Sequence, residues 1–242
     1  MIYKIESKQN PKIKELALLR KPSGRSEANE FIIEGFHLLE MALQKGNVKR
    51  VFLTKENKSI PSNIPQYIIS EEILQKISEE KTPQGVVAVC ELLKKNDKFS
   101  DRILYLDDIS DPGNLGTLLR TALAFGYNTV LLSKNSCSIY NEKAIQSSQG
   151  AIFELNIVEG YTKLAELKAS GYEILATEIK GSVDLDKVSP NAKHVLVLGN
   201  EAHGVSEAVL KLADKRVRID IKNIESLNVG VAGGIAMYKL SR

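Results

Sequence analysis

After residue 98, short apolar runs alternate with segments of helical periodicity, and this alternation is the feature that most constrains the fold. The helical segments include LGTLLRTALAFG and NEKAIQSSQG. The apolar runs are RILYLDD, NTVLLS, FELNIV, YEILATEI and HVLVLG. Strands that alternate with helices form parallel sheets, and helices cover the faces of such sheets. The sequence therefore predicts an α/β fold with a parallel sheet flanked by helices.

The first part of the chain predicts a smaller α/β arrangement. A helix is predicted to begin at Asn10, with Pro11 in its first turn. Ser70 is predicted to cap another helix, whose first turn is acidic. KPSGRSEANE is predicted as a loop, FIIEGFHLLEMALQKG as a strand and a helix ending near Gly46, and VKRVFLT, PQYIIS and QGVVAVCEL as strands. The polar stretch LKKNDKFSD is the predicted linker between domains of residues 1–97 and 98–242.

Length and composition exclude several classes of protein. With 242 residues, 43% of them hydrophobic, the chain is long enough for one large core or two small ones. Cys90, Cys137 and the three histidines are scattered, so neither a disulfide framework nor a zinc site is expected. No apolar run approaches the roughly 20 residues that span a bilayer. The start MIYKIESKQNPKIKE lacks the apolar core of a signal peptide, so a cytoplasmic protein is expected.

Positive charge is concentrated at the start of the chain. Residues 1–25 hold seven lysines and arginines against two glutamates, whereas the whole chain carries a net charge of only +3. Such a segment is either a phosphate-binding surface or the solvated face of an amphipathic helix. Charge alone leaves both interpretations open.

Three polar, glycine-rich loops follow predicted strands, where α/β proteins bind their ligands. They are DDISDPGNLGTLLR, LGNEAHGVS and IDIKNIESLNVG. None contains the phosphate-loop or dinucleotide fingerprint, so an ordinary ATP or NAD site is disfavoured. Asparagine amides together with glycines suit a neutral ligand rich in hydrogen-bonding groups, such as a nucleoside.

Several of these residues also have plain structural interpretations. Asp111 and Asn114 are typical of turns and helix caps, and Arg120 is typical of a solvated helix face. Glu201 is harder to explain as scaffold, because it directly follows a predicted strand and is flanked by Asn200 and Gly204.

Taken together and in this order, the three loops resemble the three motifs of the SpoU/TrmH family of RNA ribose 2′-O-methyltransferases, of the SPOUT class. DPGNLGTLLRTALAFG resembles the first motif, LVLGNEAHGVS the second and SLNVGVAGGIAMY the third. FIIEGFHLLEMAL and TPQGVVAVCE resemble the ribosomal-protein-like RNA-binding domain that many members carry first. SSQGAIFEL resembles the family's S-x-G-A segment, so the resemblance covers nearly the whole chain.

The resemblance implies a C-terminal trefoil knot, a homodimer, S-adenosylmethionine as cofactor and no metal or membrane. The implied substrate is structured RNA, ribosomal RNA rather than transfer RNA. The implied catalytic residues are Arg120, Asn114, Glu201, Ser226 and Asn228. The implied cofactor-binding residues are Leu198, Gly199, Ile219, Ile221, Ser226 and Leu227. The RNA-binding candidates are Arg20, Lys21 and Arg25.

The chain departs from the family pattern at four positions. Gln146 stands where members often have arginine, and Asp220 stands where proline is usual. Gly230 and Gly233 replace other small residues in a segment predicted to be helical, where each glycine costs about 1 kcal/mol relative to alanine. The alternatives to the main hypothesis are a transfer RNA methyltransferase, a non-catalytic RNA-binding or assembly protein with the same fold, and a small-molecule α/β enzyme.

Overall fold

The computed structural model describes residues 1–242 and divides them into two compact units, Met1–Lys94 and Lys95–Arg242. The division falls inside the polar stretch LKKNDKFSD. None of the helices is long and apolar enough to cross a membrane. No group of three or more histidine, cysteine or acidic side chains is placed to hold a metal ion.

The first unit is built on a mixed five-stranded sheet in the order β1-β4-β3-β5-β2. β5 runs antiparallel to β2 and β3, while β1, β4 and β3 are parallel. Its strands are β1 (Ile2–Ile5), β2 (Glu30–Glu34), β3 (Val48–Leu53), β4 (Gln66–Ile69) and β5 (Val86–Glu91). Its helices are α1 (Pro11–Leu19), α2 (Pro22–Ala28), α3 (Phe36–Gln44) and α4 (Glu71–Ile77).

Both predicted helix caps of the first unit are confirmed, and one predicted loop is wrong. The Asn10 side chain accepts from the Lys12 N–H at 3.0 Å, and Ser70 accepts from Ile73 at 3.3 Å. The stretch KPSGRSEANE forms α2 instead of a loop. A Cβ at Gly24 would lie 2.1 Å from the Leu18 carbonyl oxygen, so this glycine lets α2 pack against α1.

The second unit is a seven-stranded, entirely parallel sheet in the order β10-β12-β9-β11-β6-β7-β8. Its strands are β6 (Arg102–Leu106), β7 (Thr129–Leu132), β8 (Asn156–Val158), β9 (Glu173–Thr177), β10 (Val183–Asp184), β11 (His194–Leu198) and β12 (Lys215–Arg218). Its helices are α5 (Pro112–Ala124), α6 (Glu142–Ser148), α7 (Leu164–Ala169), α8 (Glu207–Leu210) and α9 (Val229–Leu240), with two 3-10 turns at Ala151–Phe153 and Leu185–Lys187. The predicted parallel sheet flanked by helices is confirmed.

Three element boundaries of the second unit differ from the prediction. FELNIV forms a strand only at its end, because Ala151–Phe153 is a buried 3-10 turn. α5 begins at Pro112, earlier than predicted, because the Asp111 carboxylate accepts from the Asn114 N–H at 2.8 Å. α9 begins at Val229, so Ser226 and Leu227 precede the helix and Asn228 is its cap.

The strand order creates a reversal between β6 and β11. The chain extends from β6 through β7 and β8 on one side, whereas β11, β9, β12 and β10 lie on the other. In open α/β sheets, ligands bind beyond the carboxyl ends of the strands at such a reversal. The loops after β6 and β11 lie there, and these are the first two motif loops.

The glycines of α9 are accommodated by close packing. A Cβ at Gly233 would lie 2.4 Å from Leu118 Cδ2 and 2.7 Å from Leu198 Cδ1, so the helix backbone approaches both α5 and β11 closely. A Cβ at Gly230 would lie 3.3 Å from Thr117 Cγ2, also on α5. A Cβ at Gly234 would meet only Thr121, at an ordinary 3.8 Å. Two of the three glycines therefore serve packing within this chain.

The Gly233→Ala and Gly234→Ala variants test this packing as a matched pair. Both gain up to about 1 kcal/mol of helix propensity, but only the first forces buried leucines to move. We expect Gly233→Ala to have a free energy of unfolding about 1–3 kcal/mol below that of Gly234→Ala in urea titrations. Equal stabilities would contradict the packing described for Gly233.

Candidate active site

A cleft of about 560 Å³ opens beyond the carboxyl ends of β9, β11 and β12, on the β11 side of the reversal of the sheet. The loops after these strands and the first turns of α9 form its walls. All the predicted cofactor-binding residues line this one cleft: Leu198, Gly199, Ile219, Ile221, Ser226 and Leu227. Glu201 and Asn228 also line it, whereas Asn114 and Arg120 do not.

Glu201 joins the second motif loop to the first. Its carboxylate accepts from the Ser110 N–H at 3.2 Å and the Ser110 hydroxyl at 3.0 Å through one oxygen. The other oxygen accepts from the Asp111 N–H at 3.2 Å and from Asn114 Nδ2 at 3.0 Å. Hydrogen bonds to a charged acceptor are the stronger kind. The carboxylate therefore holds the turn that precedes α5 in place.

Asn114 continues the connection to the third motif. Asn228 Nδ2 donates to Asn114 Oδ1 at 3.0 Å, while the Asn114 amide nitrogen donates to Glu201. Asn228 Oδ1 accepts from the N–H groups of Gly230 at 2.9 Å and Val231 at 3.3 Å, which caps α9. We call the hydrogen-bonded chain Glu201–Asn114–Asn228 the amide relay. It connects all three motif loops through three side chains.

The hydrogen bonds of this connection also lower the pKa of Glu201. Partial burial raises the pKa, but the hydrogen bonds from Asn114, Ser110 and Asp111 outweigh it and hold the pKa below the ordinary 4.5. Asp111 behaves similarly: the Lys143 ammonium, at 2.8 Å, and the Asn114 N–H lower its pKa. Both carboxylates are therefore ionised at neutral pH.

The sequence did not reveal that Asp107, Asp108 and Asn200 support the loops that the amide relay joins. Asp107 Oδ2 accepts from the Ser206 N–H at 2.8 Å, and Asn200 Nδ2 donates to the Asp108 carbonyl at 2.7 Å. Asp108 itself has a positive φ of 59°, unusual for a residue other than glycine. The available signal was position, because Asp107 directly follows β6 and Asn200 lies two residues after the neighbouring strand β11.

Gly199 is needed for the loop itself. A Cβ there would lie 2.1 Å from the Gly204 carbonyl carbon and from the Val205 nitrogen, while Asn200 and Gly204 pair through their backbones at 2.9 and 3.0 Å. A larger residue at position 199 would thus break the loop, whether or not a ligand is bound. Asp220, the departure beside this cleft, is exposed and does not line it.

Arg120 lies outside the amide relay. It is exposed on α5, six residues beyond Asn114, which is about 9 Å along a helix. None of its nitrogens is bound by a carboxylate of the chain. The guanidinium of this first-motif residue is therefore presented to solvent.

The three RNA-binding candidates of the first unit have different surroundings. Arg20 forms ion pairs with Glu34 and Glu79, both at 3.2 Å, and its side chain is only 18% exposed. Arg25 donates to the Arg20 carbonyl at 2.8 Å, near the end of α1. Lys21 is exposed. Two of the three thus have partners inside the unit.

Comparison with known proteins identifies the family. Residues 101–238 match the model of the SpoU rRNA methylase family, and residues 10–88 match an MRM3-like substrate binding domain. This chain belongs to the SpoU rRNA methylase family. It is 33% identical to the 23S rRNA (guanosine(2553)-2′-O)-methyltransferase RlmP of Bacillus subtilis, over 98% of each chain. The predicted family is confirmed, and with it the prediction of an RNA 2′-O-ribose methyltransferase.

Two solved structures match nearly the whole chain, and a third matches 58% of it. An AdoMet-bound rRNA methyltransferase from Sinorhizobium meliloti has a TM-score of 0.88 at 25% identity, covering 99% of this chain and 97% of its own. An RNA 2′-O ribose methyltransferase has a TM-score of 0.83 at 27% identity, covering 98% and 97%. A TrmH/SpoU tRNA modifying enzyme from A. aeolicus has a TM-score of 0.53 at 31% identity, covering 58% of this chain and 74% of its own.

Replacing Glu201 by glutamine tests the relay with little change in shape. In Glu201→Gln, an NH2 group replaces one carboxylate oxygen and faces N–H or O–H groups that had donated to that oxygen. We expect the variant to lower the free energy of unfolding by about 1 kcal/mol near neutral pH. A carboxylate with a lowered pKa stabilises the fold above its unfolded pKa, and that stabilisation is lost as the pH falls through its folded pKa. The difference from wild type should therefore shrink in acid.

Urea titrations at about pH 7 and about pH 3 measure this difference. Glu40→Gln is the control, because Glu40 is an exposed carboxylate on α3. A deficit of Glu201→Gln that persists undiminished in acid would contradict the role given to the ionised carboxylate.

Proposed function

We propose that this protein transfers the methyl group of S-adenosylmethionine to a ribose 2′-hydroxyl of structured ribosomal RNA. The observation that carries the proposal is that the second and third motif loops form one cleft, while the amide relay joins the first motif loop to both of them. A non-catalytic RNA-binding protein would have no need of a relay that aligns these loops with a ligand-sized cleft.

The cleft fits the proposed cofactor. Its volume of about 560 Å³ lies within the range of small-molecule sites. Leu198, Ile219 and Leu227 supply apolar walls, and the backbone at Gly199, Ile219 and Leu227 supplies polar groups for an adenine and a ribose. Ser226 and Asn228 shape the adjoining wall. When bound, S-adenosylmethionine supplies an electrophilic methyl group on a sulfonium.

Arg120 is the proposed catalytic group toward the RNA. A guanidinium remains protonated in proteins and is therefore a poor base. It orients a neighbouring phosphate and stabilises the negative charge that develops on the 2′-oxygen as its proton leaves. Glu201 and Asn114 act by holding the first motif loop in place. Alignment of the hydroxyl supplies several further kcal/mol of the barrier.

The first unit is the proposed RNA-binding domain, with residues 1–97 and 98–242 as the functional division. Lys21 and the exposed lysines of the basic N-terminal segment would contact phosphates, so affinity should fall steeply with salt. Ribosomal RNA is favoured over transfer RNA because the rRNA methyltransferases match both units, whereas the tRNA modifying enzyme matches 58% of the chain. We place the protein in the cytoplasm, where ribosomal RNA is found.

A homodimer is also proposed, from the exposed side of α9. Val231, Ile235 and Tyr238 are 53%, 41% and 44% exposed and share one helix face at the spacing i, i+4, i+7. Gly234 lies beside this face, and no neighbour within the chain requires a glycine there. An exposed apolar helix face of this kind marks an interface. The C-terminal knot that accompanies this family resemblance is part of the same proposal.

Two variants separate cofactor binding from methyl transfer. Ser226→Phe fills the cleft from an exposed position, and we expect calorimetry to show loss of S-adenosylmethionine binding. Arg120→Ala leaves the cleft intact, so it should bind the cofactor as wild type does. Its transfer of labelled methyl groups to ribosomal RNA should fall by roughly 100-fold or more.

Lys222→Phe is the matched control for the first variant, because Lys222 is exposed in the same loop but does not line the cleft. Wild-type protein that binds no S-adenosylmethionine, even with ribosomal RNA present, would contradict the proposed function. Wild-type activity of Arg120→Ala would contradict the role of that residue alone.

A further inference from the structure

Five charged or titratable side chains line the cleft, and most of them are engaged by the chain itself. They are Glu178, Glu201, His203, Arg218 and Glu225. Glu201 is engaged by Ser110, Asp111 and Asn114, as described above. Hydrogen bonds from the first motif loop therefore stabilise the negative charge of Glu201.

Glu178 and Arg218 are engaged by the backbone at the mouth of the cleft. Glu178 Oε1 accepts from the N–H groups of Ile179 at 2.8 Å and Lys180 at 3.2 Å. The Arg218 guanidinium donates to the Ser182 carbonyl. Both side chains thus bind the segment that follows β9. The Glu178 carboxylate and the Arg218 guanidinium each already form hydrogen bonds within the chain.

Glu225 differs from these residues. It lines the cleft directly before Ser226, it is exposed, and no donor of the chain pairs with its carboxylate. His203 also lines the cleft and is exposed. Glu225 is therefore the one acidic side chain in the cleft that accepts no hydrogen bond from the chain.

We propose that Glu225 makes the cleft prefer S-adenosylmethionine to its demethylated product. The inference rests on the proposed function and adds a specificity-determining residue to it. S-adenosylmethionine carries a positive sulfonium that S-adenosylhomocysteine lacks, while both carry the same amino acid group. The unpaired carboxylate of Glu225 would attract the sulfonium of a bound S-adenosylmethionine. That attraction would be lost once the methyl group has been transferred, because the product is an uncharged thioether. The same residue then favours release of the product.

Calorimetric titration of both compounds into wild type and Glu225→Gln tests the proposal. We expect the variant to bind S-adenosylmethionine roughly threefold to tenfold more weakly, with the affinity for S-adenosylhomocysteine changed by less than about twofold. Glu225→Asp keeps the charge and should retain most of the preference. Added salt should reduce the wild-type preference and leave that of Glu225→Gln unchanged, because salt screens exposed charges.

Glu207→Gln is the control for net charge, because Glu207 is exposed in α8 and does not line the cleft. It should keep the wild-type ratio of the two affinities. A ratio in Glu225→Gln equal to that of wild type overturns the inference and leaves the proposed function intact. Wild-type protein that binds neither compound overturns the proposed function itself.

Discussion

The hydrogen bonds of one carboxylate, that of Glu201, organise the site. The residue follows β11, and its oxygens accept four donors from the loop that follows β6. The parallel pairing of β6 with β11 places the two loops side by side, since the carboxyl ends of both strands lie at the same edge. Asn114 then donates to Glu201 and accepts from Asn228, so the third loop is fixed by the same contact.

Helix packing makes that contact possible. α9 lies close enough to α5 for Asn228 to reach Asn114 because Gly230 and Gly233 remove the side chains that would separate the helices. On its other side, α5 packs closely on α6, where a Cβ at Gly116 would lie 2.4 Å from the Ala144 carbonyl oxygen. The helix-propensity cost of these glycines is offset by packing and by the Asn228 cap, which also explains the polar start of the last segment.

Strand and helix order was predictable because periodicity and caps are local properties. The Asn10 and Ser70 caps followed from residue type alone, as did the parallel sheet of the second unit. The helix α2 was not predictable, because the Gly24 that suggests a loop serves a contact with Leu18. Similarly, the strand in FELNIV was overestimated because an apolar run does not reveal a buried 3-10 turn.

The sequence predicted which residues line the candidate site, but it did not predict how their side chains interact. The cofactor-binding candidates form one cleft because they lie at the end of β11 or between β12 and α9, and sheet topology brings such positions together. The hydrogen bonds of the amide relay could not be predicted from the sequence. The orientation of the Asn114 amide depends on Glu201 accepting from it and Asn228 donating to it at the same time. Similarly, the positive charge of Arg20 did not show whether this residue faces RNA or a partner within the chain. Its ion-pair partners Glu34 and Glu79 are distant in sequence.

A double-mutant cycle between Asn114 and Asn228 tests the central claim, that a side-chain relay joins the motif loops. Asn114→Ala removes the acceptor, and Asn228→Ser removes the donor while keeping a residue that caps helices. Urea unfolding of the four proteins should give a coupling free energy of about 0.5–1.5 kcal/mol. Additivity of the two single changes within about 0.3 kcal/mol would show that the asparagines stabilise their loops separately, and would contradict the account.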